Sequence, residues 1–394
     1  MSNRPNIAGC TILQVIPELS AGGAERTVIE MTEAIKEAGG RALVASEGGR
    51  LVKDLHAAGG EHFSLQLASK NPVVIFRNAN RLLDLIREEE IKLIHARSRA
   101  PAWSAWRAAQ ATNTAFVTTY HGAYSGNSTP KKAYNSVMAK GDFVIANSRW
   151  IGQHIKETHN VSEDRIVIIP RGVDFERFNP SSIHRGRIAN LRNDWSLIGS
   201  DQRLIILLPA RLTEWKGQLL ALDALTQLSP EERDGLVLVL VGDAQGRSAY
   251  VEKLQGFIAD HGLVKSIRIA GHCKDMPAAF AAADLVLNPS IRPEAFGRTA
   301  AEAAAMERPV IAADHGGAQE TVIDGQTGVR FIPGDAQSLS AAIRSLIAIG
   351  PEARAGMGQA GRKHVESHFS KRGLQAATLS VYSSLIAQGI ARHA

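Results

Sequence analysis

Residues 236–241 read Leu-Val-Leu-Val-Leu-Val, a run in which β-branched valine alternates with leucine and no polar residue intervenes. A short, continuous apolar run of this kind predicts a strand that is buried on both faces of a sheet. Segments of helix length separate it from similar runs at 204–209 and 267–270. Strands that alternate with helices require parallel pairing, so this part of the chain predicts an α/β fold.

The same alternation extends over the whole chain and produces two series of strands. The first series is predicted at 10–16, 41–46, 93–96, 116–119, 143–146 and 166–169, and the second at 204–209, 236–241, 267–270, 285–288, 309–312 and 329–332. Two such series predict two doubly wound, Rossmann-like α/β domains that face each other across a cleft.

The polar stretch that follows residue 179 predicts the junction between the two domains. We place the first domain at 1–180, an interdomain linker at 181–202 and the second domain at 203–372. The remaining residues, 373–394, have the apolar spacing of a helix that the second sheet does not require. We expect this C-terminal helix to pack back on the first domain.

Composition and cysteine content limit the class of protein. The chain has 394 residues, of which 44% are hydrophobic and 21% charged, the balance of a soluble globular protein. Two cysteines, Cys10 and Cys273, form neither a disulfide framework nor a CxxC zinc signature. Apolar runs fall far short of the roughly 18 to 20 residues of a membrane helix, and residues 1–19 lack the apolar core of a signal peptide. We therefore expect a cytoplasmic protein.

The formal net charge of +6 is concentrated in one segment. Residues 91–156 contain nine lysines and arginines against a single acid, Asp142, together with three of the five tryptophans. One interpretation is a solvated basic face over core tryptophans. The other is a surface for an anionic glycolipid or glycan acceptor, with peripheral contact with the inner membrane. The candidate residues are Arg97, Arg99, Trp103, Trp106, Lys131, Lys132 and Lys140. No nucleic-acid motif accompanies them, so nucleic acid is not predicted as a partner.

Loops that follow the predicted strands carry the chemistry, because ligands of open parallel sheets bind outside the carboxyl ends of the strands. Gly22 and Gly23 precede a predicted helix, where backbone N–H groups can approach a phosphate or a sugar closely. His121 directly follows a strand and can donate to a substrate hydroxyl. Arg211 and Lys216 lie on one loop and can converge on a diphosphate, although exposed cations are more often simple surface residues.

The most specific pattern places Glu294 and Glu302 on either side of the start of an alanine-rich helix. Between them the backbone N–H groups of residues 295–299 form an anion site at the positive helix end, where a diphosphate would bind. These residues are Ala295, Phe296, Gly297, Arg298 and Thr299. The flanking carboxylates suit hydrogen bonds to hydroxyls on either side of that diphosphate.

Together these motifs resemble the retaining glycosyltransferases of family 4, which have the GT-B fold, and the resemblance covers nearly the whole chain. Glu294 and Glu302 resemble the EX7E motif of that family, and Arg211 and Lys216 its diphosphate-clamping pair. The glycine loop, the histidine after the fourth strand and the segment IPRGVD at 169–174 are similar as well. Residues around Glu294 resemble bacterial enzymes that build lipopolysaccharide core or exopolysaccharide.

The resemblance implies a nucleotide-diphosphate sugar bound mainly by the second domain and an acceptor bound by the first. It assigns the ribose hydroxyls to Glu302, the donor sugar to Glu294, and the leaving diphosphate to Arg211 and Lys216. It also implies retention of the anomeric configuration and no metal or other cofactor, and the chain has no Asp-x-Asp sequence. Two alternatives stay open, namely a sugar-nucleotide epimerase of the same architecture and a non-catalytic nucleotide-sugar binding protein.

Overall fold

A computed structural model describes residues 6–20, 22–124, 128–197 and 201–393, with side chains through residue 389. The chain divides into two compact units. Unit 1 consists of Met1–Pro170 and Lys371–Ala394, and unit 2 of Arg171–Ser370. Residues 198–200 of the predicted linker and Ala394 of the predicted C-terminal helix lie outside the described residues.

Unit 1 is built on a parallel sheet of seven strands in the order β3-β2-β1-β4-β5-β6-β7. Its strands are β1 Thr11–Val15, β2 Arg41–Ser46, β3 Glu61–Ser64, β4 Ile91–Ala96, β5 Ala115–Tyr120, β6 Phe143–Ala146 and β7 Ile166–Ile168. Its helices are α1 Gly23–Glu37, α2 Val52–Ala57, α3 Pro72–Glu88, α4 Arg99–Thr112, α5 Thr129–Asn135 and α6 Arg149–His159, with the C-terminal helix α16 Lys371–His393.

Unit 2 repeats this plan with six parallel strands in the order β10-β9-β8-β11-β12-β13. Its strands are β8 Leu204–Pro209, β9 Leu236–Val241, β10 Ile267–Gly271, β11 Leu285–Asn288, β12 Val310–Ala313 and β13 Gly328–Phe331. Its helices are α7 Arg185–Asp194, α8 Gln218–Thr226, α9 Pro230–Asp234, α10 Ser248–Asp260, α11 Met276–Ala282, α12 Arg298–Ala305, α13 Ala318–Thr321, α14 Ala336–Ala348 and α15 Gly350–His368.

The prediction of two parallel-sheet α/β domains is confirmed, and each predicted strand is present. Strand β9, the run from which the fold was inferred, is buried along its whole length. The structure adds β3, which the sequence analysis missed. Its sequence, Glu-His-Phe-Ser, lies at an edge of the sheet with both ends exposed, so it lacks the apolar run that marks a buried strand.

The unit boundaries differ from those expected. Unit 2 begins at Arg171, earlier than the predicted boundary at 180. Part of the predicted linker forms helix α7, which packs on α11, and Arg187 makes two hydrogen bonds of 2.7 and 2.8 Å to the carboxylate of Asp275. The polar composition that suggested a linker therefore reflects a surface helix of unit 2.

Helix α16 belongs to unit 1, where it packs on α1 and the sheet. The amide of Gln375 donates to the backbone oxygen of Glu30 at 2.7 Å, and the buried Tyr382 reaches the sheet. Within the described part of the chain, the helices are all too short or too polar to cross a bilayer.

In each sheet the chain starts at an inner strand, adds strands to one side, and then crosses to the other side. The order reverses between β1 and β4 in unit 1 and between β8 and β11 in unit 2. Loops that leave neighbouring strands at such a point diverge and leave a crevice at the carboxyl edge, which is the usual ligand site of this architecture. These two edges position the candidate site residues.

Candidate functional site

The reversal point of unit 2 brings together an ion pair from distant parts of the sequence. Lys216 follows β8, and Glu294 follows β11, the neighbouring strand. The ammonium nitrogen of Lys216 lies 2.7 Å from Oε1 of Glu294, and each side chain is only 13% exposed. Oε1 of Glu294 also accepts a hydrogen bond from the hydroxyl of Ser290. The predicted clamp lysine and the predicted sugar-binding glutamate therefore share one polar centre.

Two glycines allow the loops around this centre to approach each other. Gly217 has a φ of +77°, and a Cβ at that position would overlap the carbonyl oxygen of Pro289. A Cβ on Gly316, which has a φ of +63°, would come within 2.5 Å of the carbonyl oxygen of Glu294. Any larger residue would force these loops apart, so both positions require glycine.

Glu302 and Arg298 form a second pair, within the first turns of α12. Nε of Arg298 donates to Oε1 of Glu302 at 2.9 Å, and the side chains are 30% and 17% exposed. Gly297 precedes the helix with a φ of +80°. Helix α12 therefore begins at Arg298, within the segment 295–299 for which an anion site was predicted.

The side chain of Phe296, in contrast, faces the core rather than a ligand. It is 3% exposed and meets Phe369 edge to face, with the ring centroids 5.3 Å apart. Only the backbone of Phe296 can contribute to an anion site. The side chain of Thr299, in the first turn of α12, lies 3.4 Å from the backbone oxygen of Pro209 at the end of β8.

Arg211 occupies the same loop as Lys216 but makes different contacts. Its guanidinium is exposed and lies 3.5 Å from the side-chain oxygen of Gln245. Its backbone is fixed, because the amide of the buried Gln218 donates to the carbonyl oxygen of Arg211 at 2.9 Å. Arg211 is therefore anchored at its backbone while its charged group extends into solvent.

Two further residues of this centre were not among the predicted site residues. Ser290 holds Glu294, and Nε2 of His315 lies 2.8 Å from the backbone oxygen of Ser290. Both follow buried strands at the carboxyl edge, which is the signal that could have identified them. A serine between a buried strand and a polar loop has many other uses, so sequence alone does not distinguish it.

In unit 1 the glycine loop leads into α1 as predicted. Gly22, with a φ of 138°, directly precedes the helix, and Gly23 is its first residue. Glu25 lies in the first turn. A carboxylate therefore lies at this positive helix end, next to Gly22.

His121 follows β5 and lies near a buried histidine, His95. The ring nitrogens of His95 lie 2.6 Å from the hydroxyls of Tyr382 and Thr119. Burial holds the pKa of His95 well below its usual range, and the nearby charges of Arg97 and His121 lower it further. His95 is therefore neutral at pH 7 and serves as a fixed polar support beneath the edge that carries His121.

Arg97 does not belong to the predicted membrane surface. Its side chain is 3% exposed, and Nε and Nη2 both donate to Oε1 of Gln14, at 2.9 and 2.7 Å. Burial among mostly neutral groups lowers the pKa of Arg97. Arg97 was assigned to the surface because it lies in a segment with nine lysines and arginines and a single acid.

The predicted aromatic residues, Trp103 and Trp106, are half-buried and packed against their neighbours. Trp103 donates its indole N–H to the backbone oxygen of Tyr134 at 3.1 Å and meets Trp106 edge to face. The ammonium of Lys140 lies 4.4 Å from the centre of the Trp106 ring. Arg99 donates to Asn135 at 2.8 Å.

Lys131, Lys132 and Lys140 are exposed, as both interpretations of the basic segment require.

Across the described ranges, no group of three or more His, Cys, Asp or Glu side chains could hold a metal ion.

Two family models match the chain. Residues 21–177 match a model described as Glycosyltransferase Family 4, and residues 193–364 match one described as Glycosyl transferases group 1. Each match falls largely within one of the two structural units.

Solved structures and curated proteins give similar results. A glycosyltransferase from Rickettsia africae ESF-5 is 35% identical, with a TM-score of 0.88 over 96% of this chain and 99% of that one. Anabaena Alr3699/HepE, solved in complex with UDP, has a TM-score of 0.82 at 24% identity over 95% of this chain and 100% of that one. The lipopolysaccharide core biosynthesis mannosyltransferase LpcC of Rhizobium leguminosarum bv. viciae is 28% identical over 64% of this chain and 66% of its own length. The chain spans about half to three quarters of the curated relatives it matches.

Proposed function

We propose that this chain, which belongs to the family 4 glycosyltransferases with the GT-B fold, transfers a hexose from a nucleotide-diphosphate sugar to a glycolipid or glycan acceptor. The observation that carries the proposal is the centre at the reversal point of unit 2. There a lysine, a carboxylate and a helix start lie within one set of loops, and these are the groups that a diphosphate and a sugar require.

Lys216 is suited to bind the diphosphate while it stays paired with Glu294. An ammonium has three N–H donors, and one of them serves Oε1 of Glu294 at 2.7 Å. The others can reach phosphate oxygens, and Arg211 can swing its exposed guanidinium towards the same charge. Together with the backbone N–H groups before and within the first turn of α12, these cations would stabilise the leaving diphosphate.

The two glutamates would orient the donor through its hydroxyl groups. Lys216 and Ser290 both bond to Oε1 of Glu294, so we expect Oε2 to accept a hydroxyl of the donor sugar. Glu302 is held through Oε1 by Arg298 and would accept the ribose hydroxyls. Carboxylates that are fixed before the ligand arrives lose little freedom when it binds.

The acceptor is assigned to unit 1, where Gly22, Gly23 and His121 lie at the carboxyl edge. LpcC is named for lipopolysaccharide core biosynthesis, which supports synthesis of lipopolysaccharide core or another envelope polysaccharide as the pathway. We place the enzyme in the cytoplasm, with peripheral attachment to the inner membrane through the exposed lysines 131, 132 and 140.

A panel of UDP-glucose, UDP-galactose, UDP-N-acetylglucosamine and GDP-mannose tests the donor. One of these should raise the melting temperature and be hydrolysed slowly, and with an acceptor the product should keep the donor's anomeric configuration by NMR. A product with inverted configuration would contradict the mechanism, and an epimerised nucleotide sugar without transfer would favour the epimerase alternative.

Turnover should persist in EDTA, because the cations of the protein and the helix start do the work of a divalent ion. Loss of turnover in EDTA that Mg²⁺ or Mn²⁺ restores would contradict this part of the proposal.

A further inference from the structure

Asn147, the residue that follows β6, is a buried amide with an unusual environment. It is 2% exposed. Among the residues that the structure describes, neither Oδ1 nor Nδ2 of its side chain has a hydrogen-bond partner. Leaving a buried donor and acceptor unsatisfied destabilises a fold, so such a group calls for a specific explanation.

The position of Asn147 points to a ligand. Strands β5 and β6 pair in parallel with Tyr120 opposite Ala146, so the next residues, His121 and Asn147, leave the sheet side by side. Both therefore stand at the carboxyl edge, where ligands of this architecture bind.

The face on which Asn147 lies follows from the alternation of side chains along β6. Ala146 faces α6, because a Cβ on Gly152 of that helix would contact it at 3.8 Å. Ile145 lies in the apolar cluster on the opposite face, which α1 and α16 cover. Asn147 is the first residue past β6, and continuing the alternation by one residue places it on the side of Ile145, the face of α1 and α16.

Neighbouring buried polar side chains on that face have partners. Gln14 bonds with Arg97, and His95 bonds with both Thr119 and Tyr382, all at 2.9 Å or less. Their donors and acceptors satisfy one another, whereas the amide of Asn147 offers both a donor and an acceptor at the edge of the cluster.

We infer that Asn147 binds two neighbouring hydroxyl groups of the acceptor's terminal sugar, beside His121. A hydroxyl donates as well as accepts, so two neighbouring hydroxyls can satisfy Oδ1 and Nδ2 together without burying a charge, whereas a phosphate brings a negative charge that the neutral amide does not balance. This inference rests on the proposed function, because it assumes that unit 1 receives a sugar acceptor. It makes Asn147 a determinant of which acceptor hydroxyls are recognised.

The test uses the full chain labelled with ¹⁵N-asparagine, in which the signal lost in Asn147→Leu identifies the Asn147 side chain. The probes are the methyl α-glycosides of glucose, mannose, galactose and N-acetylglucosamine, and separately inorganic phosphate. At least one glycoside should shift the Asn147 signal, and Asn147→Leu should weaken its binding at least tenfold. Asn147→Ala, which adds no bulk, repeats the measurement if the leucine variant does not fold.

Ser340→Ala is the matched control, since Ser340 is also fully buried and its hydroxyl has no hydrogen-bond partner in the described ranges, but it lies on α14 in unit 2. Both Asn147→Leu and Ser340→Ala should raise the melting temperature by about 2–4 °C. Only Asn147→Leu should lose glycoside binding.

The inference is overturned if none of the glycosides shifts the Asn147 signal, or if phosphate alone does. It is also overturned if Asn147→Leu lowers the melting temperature and leaves glycoside binding intact, since the amide would then be structural. UDP and GDP binding should be equal in all variants. If the wild-type chain binds neither nucleotide, the proposed donor site fails, and that result is separate from the glycoside measurements.

Discussion

Replacing Lys216 by methionine should destabilise unit 2, because it leaves the carboxylate of Glu294 without its counter-charge. The two charged groups are 2.7 Å apart and each is 13% exposed. At an effective dielectric constant of about 20, unit charges at this distance attract by about 6 kcal/mol. Most of that attraction offsets the desolvation of the two groups, so it is not the net contribution of the pair.

Removing one partner of a fully buried pair costs about 3–5 kcal/mol. Glu294 keeps its hydrogen bond from Ser290 and some contact with water, so we expect the free energy of unfolding to fall by about 2–4 kcal/mol. Glu294→Gln should cost a similar amount. The double variant should cost less than the sum of the two, by about 1–3 kcal/mol, because the second change removes the charge that the first one stranded.

Urea denaturation at pH 7 measures all three variants. The control is Lys253→Met. The ammonium of Lys253 lies 3.4 Å from the carboxylate of Glu214, and these side chains are 57% and 70% exposed. Removing this exposed pair should lower the free energy of unfolding by less than about 1 kcal/mol. If the two single changes are additive, or if Lys216→Met costs no more than the control, the pair does not stabilise unit 2 and this reasoning is wrong.

Three further predictions follow from the site and its surroundings. Arg211→Ala should lower kcat/KM by an amount that corresponds to about 2–5 kcal/mol of lost transition-state stabilisation, while the urea midpoint stays unchanged. Near-normal turnover would show that Arg211 does not stabilise the leaving diphosphate. Burial holds the pKa of His95 well below 6.5, so below pH 6.5 the unfolded chain binds a proton that the folded chain does not. As the pH is lowered through this range, the free energy of unfolding should fall by up to about 1.4 kcal/mol per pH unit, and His95→Gln should flatten this slope. Reversing Lys131, Lys132 and Lys140 to glutamate should weaken binding to anionic vesicles at low salt without changing nucleotide affinity, and unchanged vesicle binding would leave the solvated-face interpretation.

The sequence by itself determined the architecture and which loops lie at the carboxyl ends of the strands. A strand buried on both faces must be apolar along its length, so runs such as 236–241 reveal inner strands directly. Because the strands are parallel, their carboxyl ends share one edge, and the loops with Lys216 and Glu294 could be assigned to it from their order alone. Local pattern fails at the margin of a sheet, where Glu61–Ser64 has one neighbour and a polar sequence.

Only the tertiary structure decided which of these residues meet and which are buried. Lys216 pairs with Glu294 because β8 and β11 are neighbours, a fact of strand order that no local pattern encodes. Arg97 is buried because Gln14, from another strand, accepts its hydrogen bonds, whereas charge counting assigned it to the surface. The buried amide of Asn147 has no hydrogen-bond partner among the described residues, and this could be seen only in the folded chain. Burial and pairing depend on contacts between segments distant in sequence, and these are fixed only when the chain has folded.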